Sequence, residues 1–301
     1  MPPIEVIINA AGGSFIANQT ETAVTQAFAD ADLKVNIHFA PSGSEVFSLA
    51  EKAASGDCRI MVGGGGDGTL ALVAEAAYKS GKIFGVMPLG TRNHFSKDLG
   101  IPQDMAGAVA VIKAGHTRQV DLGEVNGRIF INNSSIGLYP RIVRHREAQQ
   151  ERLGRGKWYA AFLAAIRVFR RSPFYRVRFK LDGHSFLRKV PFVFVGNNLY
   201  EMDIYNIGSR QSLDRGLLSV YFLHRGGRWG VLELLFRTLI GRLKQWRDFE
   251  EIETEAITIN TRKKKIMVAL DGEVTVMKTP LEYRIVPKAL TVIAPSQPKN
   301  A

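Results

Sequence analysis

The chain has very little cysteine and no long hydrophobic run. Cys58 is the only cysteine among 301 residues, which excludes a disulfide framework and a metal site built from cysteines. The longest strongly apolar window, residues 158–166, is about half as long as a membrane-spanning helix requires. The first residues, MPPIEVIINAAGG, lack the basic start of a secretory signal. These absences predict a cytoplasmic protein.

Acidic residues are also scarce relative to basic ones. The chain holds 40 Lys and Arg against 28 Asp and Glu, a formal net charge of +12. The excess is uneven, because residues 1–122 carry a net charge of −3 and residues 123–301 one of +15. A strongly basic half predicts an anionic partner, such as nucleic acid, a membrane surface or a phosphorylated ligand.

Short apolar runs alternate with helical patterns in the first part of the chain. Strands are predicted at 4–10, 34–40, 59–63 and 83–88, and helices at 20–31, 44–55 and 68–79. This alternation predicts an α/β domain with a parallel sheet over residues 1–122. Ligands of such sheets bind beyond the carboxyl ends of the strands.

From about residue 117 the pattern becomes that of a mainly antiparallel β domain, assigned to residues 123–287. Turn signals such as Asn126-Gly127 and Asp182-Gly183 separate several of its strand-like runs. Two helical segments, 156–170 and 229–243, interrupt them. The predicted strands are 118–125, 128–134, 174–181, 187–196, 217–224, 256–260, 264–270, 273–277 and 281–287.

A glycine run, GGGGDGT at 63–69, follows one predicted strand and precedes a helix. Glycines allow close backbone approach, and the first turn of a helix offers unpaired N–H groups at a positive dipole end. The run therefore predicts a phosphate-binding loop. It also fits the GxGxxG pattern of dinucleotide sites, but no acidic residue follows about twenty positions later, and the chain has no GxxxxGK[ST] motif. Hydride transfer and a P-loop are therefore disfavoured.

Three segments together resemble the catalytic domain of the diacylglycerol kinase family. They are GGGGDGTL (63–70), PLGTRNHFSKDLGIP (88–102) and ALDGE (269–273). NAD kinases and phosphofructokinases share the GGDGT core, whereas the other two segments at these separations favour the lipid kinases. The resemblance is greatest to soluble bacterial lipid kinases and more distant to sphingosine kinases.

The resemblance covers nearly the whole chain and implies a fold and an activity. The fold is an α/β domain like that of NAD kinases and phosphofructokinases, followed by the β domain, with residues 288–296 returning to the first. The activity is phosphorylation, dependent on ATP and Mg²⁺, of a hydroxyl group of diacylglycerol or a similar membrane lipid. This would be a peripheral membrane enzyme of phospholipid biosynthesis.

The resemblance also implies roles for individual residues. Glu273 would accept the proton of the lipid hydroxyl, Asp271 would support Glu273 or the metal, and Asp67 would organise Mg²⁺ at the phosphates. The structural alternatives are that Asp67, Thr91 or Asn93 caps a helix and that Asp271 and Glu273 form an ordinary hairpin turn. The residues implied to bind the nucleotide are Asn9, Gly13, Gly64, Gly65, Gly66, Asp67, Gly68, Thr69, Leu70, Thr91 and Asn93.

The chain departs from the family pattern at three positions. Ala10 replaces the usual proline of the turn after the first strand. His94 stands where many relatives have Asp, and we expect it to contact phosphate or substrate, or only to pack. Arg215 stands at a family ligand of a structural Mg²⁺, and an arginine cannot coordinate that ion. In this chain the set implied for the structural Mg²⁺ is Ser212, Asp214 and Leu217.

The basic half leaves other functions open. The two helical segments combine an apolar face with a cationic rim, which favours an anionic membrane surface but also suits packing on the β core. The cluster at 262–265 suggests nucleic acid, yet no nucleic-acid-binding motif is present, and no such partner is expected. An NAD kinase-like small-molecule kinase, or a non-catalytic regulator that binds nucleic acid or membranes, are the alternatives. Neither the acceptor lipid nor the oligomeric state, a homodimer included, follows from the sequence.

Overall fold

The first part of the chain forms a parallel sheet covered by helices. The computed structural model describes residues 3–11, 17–137, 175–181, 183–201, 209–210, 212–223 and 249–296. Its elements are β1 (Ile4–Asn9), α1 (Ala17–Asp30), β2 (Val35–Ala40), α2 (Gly43–Ser55), β3 (Ile60–Gly65), α3 (Asp67–Ser80), β4 (Ile83–Pro88), α4 (His94–Asp98) and α5 (Met105–Ala114). The four strands pair in parallel in the order β2-β1-β3-β4. The predicted α/β arrangement is confirmed.

Continuous apolar runs produce the strands of this sheet because both of its faces are covered. Ile7 and Ile8 point to opposite faces of β1, and both are fully buried. Helices α2 and α3 pack on one face, and α1 and α5 pack on the other. Ser42 caps the start of α2 by accepting the N–H of Glu45, and Gly81 ends α3 in a left-handed conformation.

The second part forms two large sheets packed face to face and one small sheet. Its strands are β5 (Thr117–Val125), β6 (Arg128–Phe130), β7 (Asn133–Gly137), β8 (Tyr175–Leu181), β9 (His184–Val190), β10 (Phe192–Asn197), β11 (Tyr200–Glu201), β12 (Ser209–Arg210), β13 (Leu218–Leu223), β14 (Phe249–Thr254), β15 (Ala256–Thr261), β16 (Lys265–Leu270), β17 (Glu273–Lys278) and β18 (Leu281–Ile293). A ten-stranded sheet continues the parallel one, in the order β2-β1-β3-β4-β18-β15-β8-β9, with β5 beside β18 and β6 beside β5. A six-stranded sheet has the order β14-β13-β10-β7-β16-β17, and β11 pairs with β12 in the small sheet.

A second hydrophobic core fills the space between the two sheets. Phe179 of β8 stacks on Phe222 of β13, with ring centroids 4.8 Å apart, and so joins the ten-stranded sheet to the six-stranded one. The long strand β18 connects the two parts of the chain. It pairs antiparallel with β5 and β15, and near its end Val292 lies parallel to Phe84 of β4. The boundary at residue 122 and the return of residues 288–296 stay predictions about domain division.

Two of the predicted strands are each two strands in the structure. The run 187–196 divides into β9 and β10 at Pro191, which has no N–H to continue a ladder, and the two strands belong to different sheets. The run 128–134 divides into β6 and β7 because the N–H groups of Ile131 and Asn132 donate to the side chain of Asp271. Strand β14 was not predicted, since its three glutamates have low β propensity.

Other predictions concern residues that the structure does not describe. The helical segments 156–170 and 229–243, the turn residue Asp182 and Gly13 lie outside the described residues. Within the described residues, none of the helices combines the length and the apolar character that crossing a bilayer demands.

Candidate active site

The carboxyl ends of β1, β3 and β4 lie at one edge of the sheet. Asn9, the glycine run at 63–69 and the loop after β4 therefore meet there. Asn9 ends β1, and its Nδ2 donates to Oγ1 of Thr69 on α3 over 2.9 Å. Its Oδ1 accepts the N–H of Ala11 over 2.9 Å. Asn9 therefore ties the turn after β1 to the first turn of α3. Thr69 is buried, with 6% of its surface exposed.

The glycine run and the loop after β4 pack backbone against backbone. A Cβ atom on Gly90 would lie 2.5 Å from Cα of Gly66, and one on Gly65 would lie 2.8 Å from the Thr69 side chain. The N–H of Leu89 donates to the carbonyl of Gly65 over 3.1 Å. Gly65 still belongs to β3, which extends two residues beyond the predicted strand, so the turn itself is made at Gly66.

Helix α3 begins directly after this turn and presents its N-terminus at the sheet edge. Gly66 is its N-cap residue and makes no side-chain capping hydrogen bond. The first-turn N–H groups of such a helix carry a partial positive charge and suit anionic oxygens. Leu70, the last residue of the predicted loop, has its side chain fully buried in the core, and its N–H donates to the carbonyl of Gly66 over 3.0 Å, so nucleotide binding by Leu70 stays a prediction.

Asp67 joins the glycine run to the next loop and to the second part of the chain. Its carboxylate accepts the N–H groups of His94 and Phe95 over 3.3 and 3.2 Å, and so caps α4 from outside that helix. It also accepts Nδ2 of Asn132 over 3.4 Å. All three contacts are long, and a carboxylate has about four acceptor positions, so Asp67 retains capacity for a cation.

The residues present at the turn fit a magnesium ion bound with a nucleotide. Mg²⁺ is held in such sites by one or two carboxylates together with substrate phosphates rather than by an all-protein cage. Asp67 supplies a carboxylate at the start of α3, where the phosphates would bind. No group of three His, Cys, Asp or Glu side chains with metal-site geometry exists among the described residues.

Asn93 and Thr91 lie in the loop between β4 and α4. Asn93 is buried with φ of 53°, and its Nδ2 donates to the carbonyl of Gly90 over 2.8 Å and to Oε1 of Gln103 over 3.2 Å. These contacts hold the loop that faces Gly66. Thr91 is exposed in the same loop. Nucleotide binding by either residue stays a prediction, and His94 is half-buried at the start of α4.

Asp271 anchors the turn between β16 and β17. Its carboxylate accepts three backbone N–H groups, those of Ile131, Asn132 and Asn133, over 2.9, 2.8 and 3.0 Å. Burial raises the pKa of Asp271 to about 6, although these three hydrogen bonds favour the ionised form. This anchoring fixes the start of β17.

Glu273, the first residue of β17, reaches the glycine run of the first part. Its Oε1 lies 3.7 Å from the position that a Cβ atom on Gly68 would take. The Glu273 side chain is exposed. The structure thus brings a carboxylate from the end of the sequence to the helix terminus that suits phosphate.

A buried polar group that the sequence did not reveal lies behind these residues. Arg210 of β12 is fully buried, and its Nε donates to Oδ2 of Asp98 over 2.7 Å. Its Nη2 donates to Oδ1 of Asn132 over 2.7 Å. Burial raises the pKa of Asp98, and the arginine opposes that shift. No periodicity or motif marks a lone arginine in a polar stretch as buried, so the sequence offered no signal for it.

The groups implied to hold a structural Mg²⁺ make hydrogen bonds within the protein. Oγ of Ser212 donates to Oδ1 of Asp214, whose side chain is exposed. The carbonyl of Leu217 accepts the N–H of Asn198 over 3.0 Å. Arg215 is exposed. Two of the oxygens implied to bind the ion thus already have protein partners, and the structural Mg²⁺ site stays a prediction.

Comparison with known proteins gives matches along both parts of the chain. Residues 3–125 match a family model described as the diacylglycerol kinase catalytic domain. Residues 133–294 match a model described as the YegS C-terminal NAD kinase beta sandwich-like domain.

Relatives and solved structures agree with these matches. A probable lipid kinase YegS-like from Pseudomonas aeruginosa is 26% identical over 298 residues, which covers 94% of this chain and 92% of the relative. A diacylglycerol kinase from Bacillus subtilis is 24% identical over 278 residues, covering 91% and 90%. An uncharacterized protein from Synechocystis is 27% identical over 240 residues, covering 78% of this chain and 54% of that relative. The crystal structure of a diacylglycerol kinase from Bacillus anthracis shares the fold, with a TM-score of 0.69 at 21% identity over 98% of this chain and 97% of the other.

Proposed function

Because the chain belongs to the diacylglycerol kinase family, we propose that it transfers the γ-phosphoryl group of ATP to a hydroxyl group of diacylglycerol or a similar membrane lipid. Membership of the family makes the protein a lipid kinase. The observation that carries the proposal is the approach of Glu273 to Gly68, which puts a carboxylate beside a helix N-terminus suited to phosphate.

The phosphates of ATP would bind through backbone N–H groups at the start of α3. Phosphoryl transfer depends on positioning and on stabilisation of the charge on the transferred group more than on covalent chemistry by the protein. Gly66 and Gly68 carry no side chains and both are half-buried, so no side chain of these two residues stands between their backbone and a ligand. Asp67 would hold Mg²⁺, which neutralises phosphate charge when bound.

Glu273 would accept the proton of the lipid hydroxyl as the new phosphate ester forms. A general base has to come within about 2.6–3.2 Å of the proton donor. Glu273 is exposed at the beginning of β17, next to Gly68, so a hydroxyl placed between it and the phosphates is within reach of both. Asp271 would support this arrangement through the turn that it anchors.

The basic half would face an anionic membrane, where the lipid acceptor resides. Basic residues alternate outward along β8, at Arg176, Arg178 and Lys180, and each is exposed. Lys189 of β9 and Arg262 add exposed charge beside them. Clustered basic residues near an anionic leaflet contribute about 1 kcal/mol each to binding. The basic cluster at 262–265 spans the connection from β15 to β16 and the first residue of β16.

Incubation of the protein with radiolabelled ATP, Mg²⁺ and a total lipid extract tests the activity, with NAD as a parallel acceptor. We expect the label in an organic-phase product. Label on NAD instead, or no labelled lipid at all, overturns the proposal. Purified diacylglycerol, phosphatidylglycerol and a sphingoid base then identify the acceptor.

Glu273→Gln provides the matched test of the site within that assay. The substitution keeps the shape of the side chain and removes its basicity, so labelled lipid should fall to background. Glu255→Gln, an exposed carboxylate between β14 and β15, serves as the control and should retain full activity. Equal rates in the two variants would refute the role given to Glu273.

A further inference from the structure

Arg210 buries a full positive charge where the two parts of the chain meet. Its side chain is 0% exposed, and that of its partner Asp98 is 3% exposed. Its Nη1 donates to the carbonyls of Ile131 and Asn197 over 2.8 and 3.0 Å, and its Nη2 donates to Asn132. A buried guanidinium is tolerated when its donors are satisfied in this way. One side chain thereby joins α4, the 131–132 segment, β10 and β12.

Asn132 carries this contact to the candidate active site. Its Oδ1 accepts from Arg210, and its Nδ2 donates to Oδ1 of Asp67 over 3.4 Å. A side-chain amide has one acceptor and one donor end, so the cation on one side turns the NH₂ group toward the carboxylate on the other. Its backbone N–H donates to Asp271 over 2.8 Å. A single buried residue therefore contacts both aspartates of the site.

The segment around Asn132 is held from two directions. Ile131 accepts from Arg210 through its carbonyl and donates to Asp271 through its N–H over 2.9 Å. Asn197 also donates to the carbonyls of Ile131 and Asn132, each over 2.9 Å, so Arg210 and Asn197 together hold the segment that lies between Asp67 and the turn of Glu273.

We propose that Arg210 and Asn132 are positioning residues, in which the guanidinium orients Asn132 and Asn132 sets Asp67 and Asp271 relative to each other. The proposal rests on the proposed function for the roles of these aspartates. The buried positive charge in this region belongs to the Arg210 side chain, whereas the structural Mg²⁺ that the resemblance implies at Ser212, Asp214 and Leu217 stays a separate prediction.

Two substitutions test the positioning role. Asn132→Ala removes both ends of the amide. Arg210→Lys keeps the charge opposite Asp98, which favours folding, but an ammonium cannot reproduce the fork to three other acceptors. In each variant we expect the Mg²⁺ concentration for half-maximal activity to rise about tenfold and kcat to fall by about 10–100-fold, with KM for the lipid unchanged. A defect in folding alone would lower the active fraction without changing the Mg²⁺ requirement.

The double variant tests whether Arg210 acts through Asn132. If it does, Arg210→Lys combined with Asn132→Ala loses no more than about twofold beyond the more impaired single variant. Arg284→Lys is the control, because Arg284 makes a comparable pair of bonds to Glu124 in an exposed position and should show wild-type kinetics. Folded single variants with a normal Mg²⁺ requirement and kcat, or fully additive losses in the double variant, would overturn the proposal.

Binding measurements separate this proposal from the proposed function. Calorimetry with Mg²⁺ and a non-hydrolysable ATP analogue should show affinity about tenfold weaker in both single variants. That result in a protein that phosphorylates no lipid refutes the lipid kinase activity and leaves the positioning role supported. Unchanged affinity in folded variants refutes the positioning role.

If Arg210 alone supplies the buried positive charge of this region, the wild-type protein without nucleotide needs no structural ion. An ion bound only to the folded state would raise its stability, so EDTA should in that case shift the thermal midpoint by no more than about 1 °C. A larger fall that Mg²⁺ alone restores would show that an ion, and not only Arg210, supplies charge to the folded structure.

Discussion

The glycine at position 90 has no room for even one additional carbon atom. In a Gly90→Ala variant the new Cβ would lie 2.5 Å from Cα of Gly66 and 2.7 Å from Oδ1 of Asn93. Carbon atoms pack at about 3.5–4.0 Å, so the two loops must separate by about 1 Å. A displacement of about 1 Å can lower a rate by about 100-fold, equivalent to about 2.7 kcal/mol. Overpacking should also cost about 1–3 kcal/mol of stability.

Steady-state kinetics with ATP and a lipid acceptor, together with thermal unfolding, measure both effects. We expect Gly90→Ala to lower kcat/KM for ATP by about 100-fold and the thermal midpoint by about 5 °C. Gly43→Ala is the control, because a Cβ at Gly43 meets nothing within 4 Å and alanine suits the start of α2. A folded Gly90→Ala variant with the kcat/KM of Gly43→Ala would refute the contact between the loops.

Three further predictions concern charge. Asp67→Asn and Glu273→Gln should each lower turnover by at least about 100-fold while both variants stay folded, and near-normal rates would contradict the assigned roles. Since the pKa of Asp271 is raised from 3.8 to about 6, its folded-state proton contributes stability at lower pH that is lost as pH rises through about 6. Asp271→Asn should remove that part of the pH dependence of unfolding, and an unchanged profile would contradict it. The protein should sediment with anionic liposomes at low salt and much less at high salt, whereas equal binding to neutral vesicles would count against the membrane surface.

The parallel sheet was predictable because strands that are buried on both faces of a sheet are continuous apolar runs in the sequence. β1, β2 and β4 consist of short runs, largely apolar, bounded by polar residues or glycine, and their observed limits lie within one residue of the predicted ones. The sheets of the second part were harder to predict, since the pattern of a strand indicates which residues are buried but not which strand is its neighbour. The changes of sheet at Pro191 and between β6 and β7 depend on the ladder partners and on Asp271, which no local pattern contains.

The residues of the candidate site likewise divide into those that are close in sequence and those that only the fold brings together. The glycine run, Asp67 and the loop after β4 lie close in sequence, and their grouping needed only the strand order. The approach of Glu273 to Gly68 depends instead on the hydrogen bonds that the N–H groups of residues 131–133 donate to Asp271. These residues are distant from Asp271 in the sequence. Arg210 was not predictable for a different reason, because an isolated arginine is exposed in most proteins and its burial here depends on four acceptor residues from three separate segments.

The charge of the chain can now be related to its parts. The described site consists of carboxylates and backbone N–H groups around one buried arginine, so it gives no reason for a net charge of +15 over residues 123–301. The exposed basic residues of β8 lie on the face of the ten-stranded sheet that points away from the core between the sheets. A cation close to Asp67 would compete with Mg²⁺, whereas a cation on an outer face does not. The surplus is therefore better suited to attracting an anionic surface than to binding ATP, and salt should weaken the first interaction more than the second.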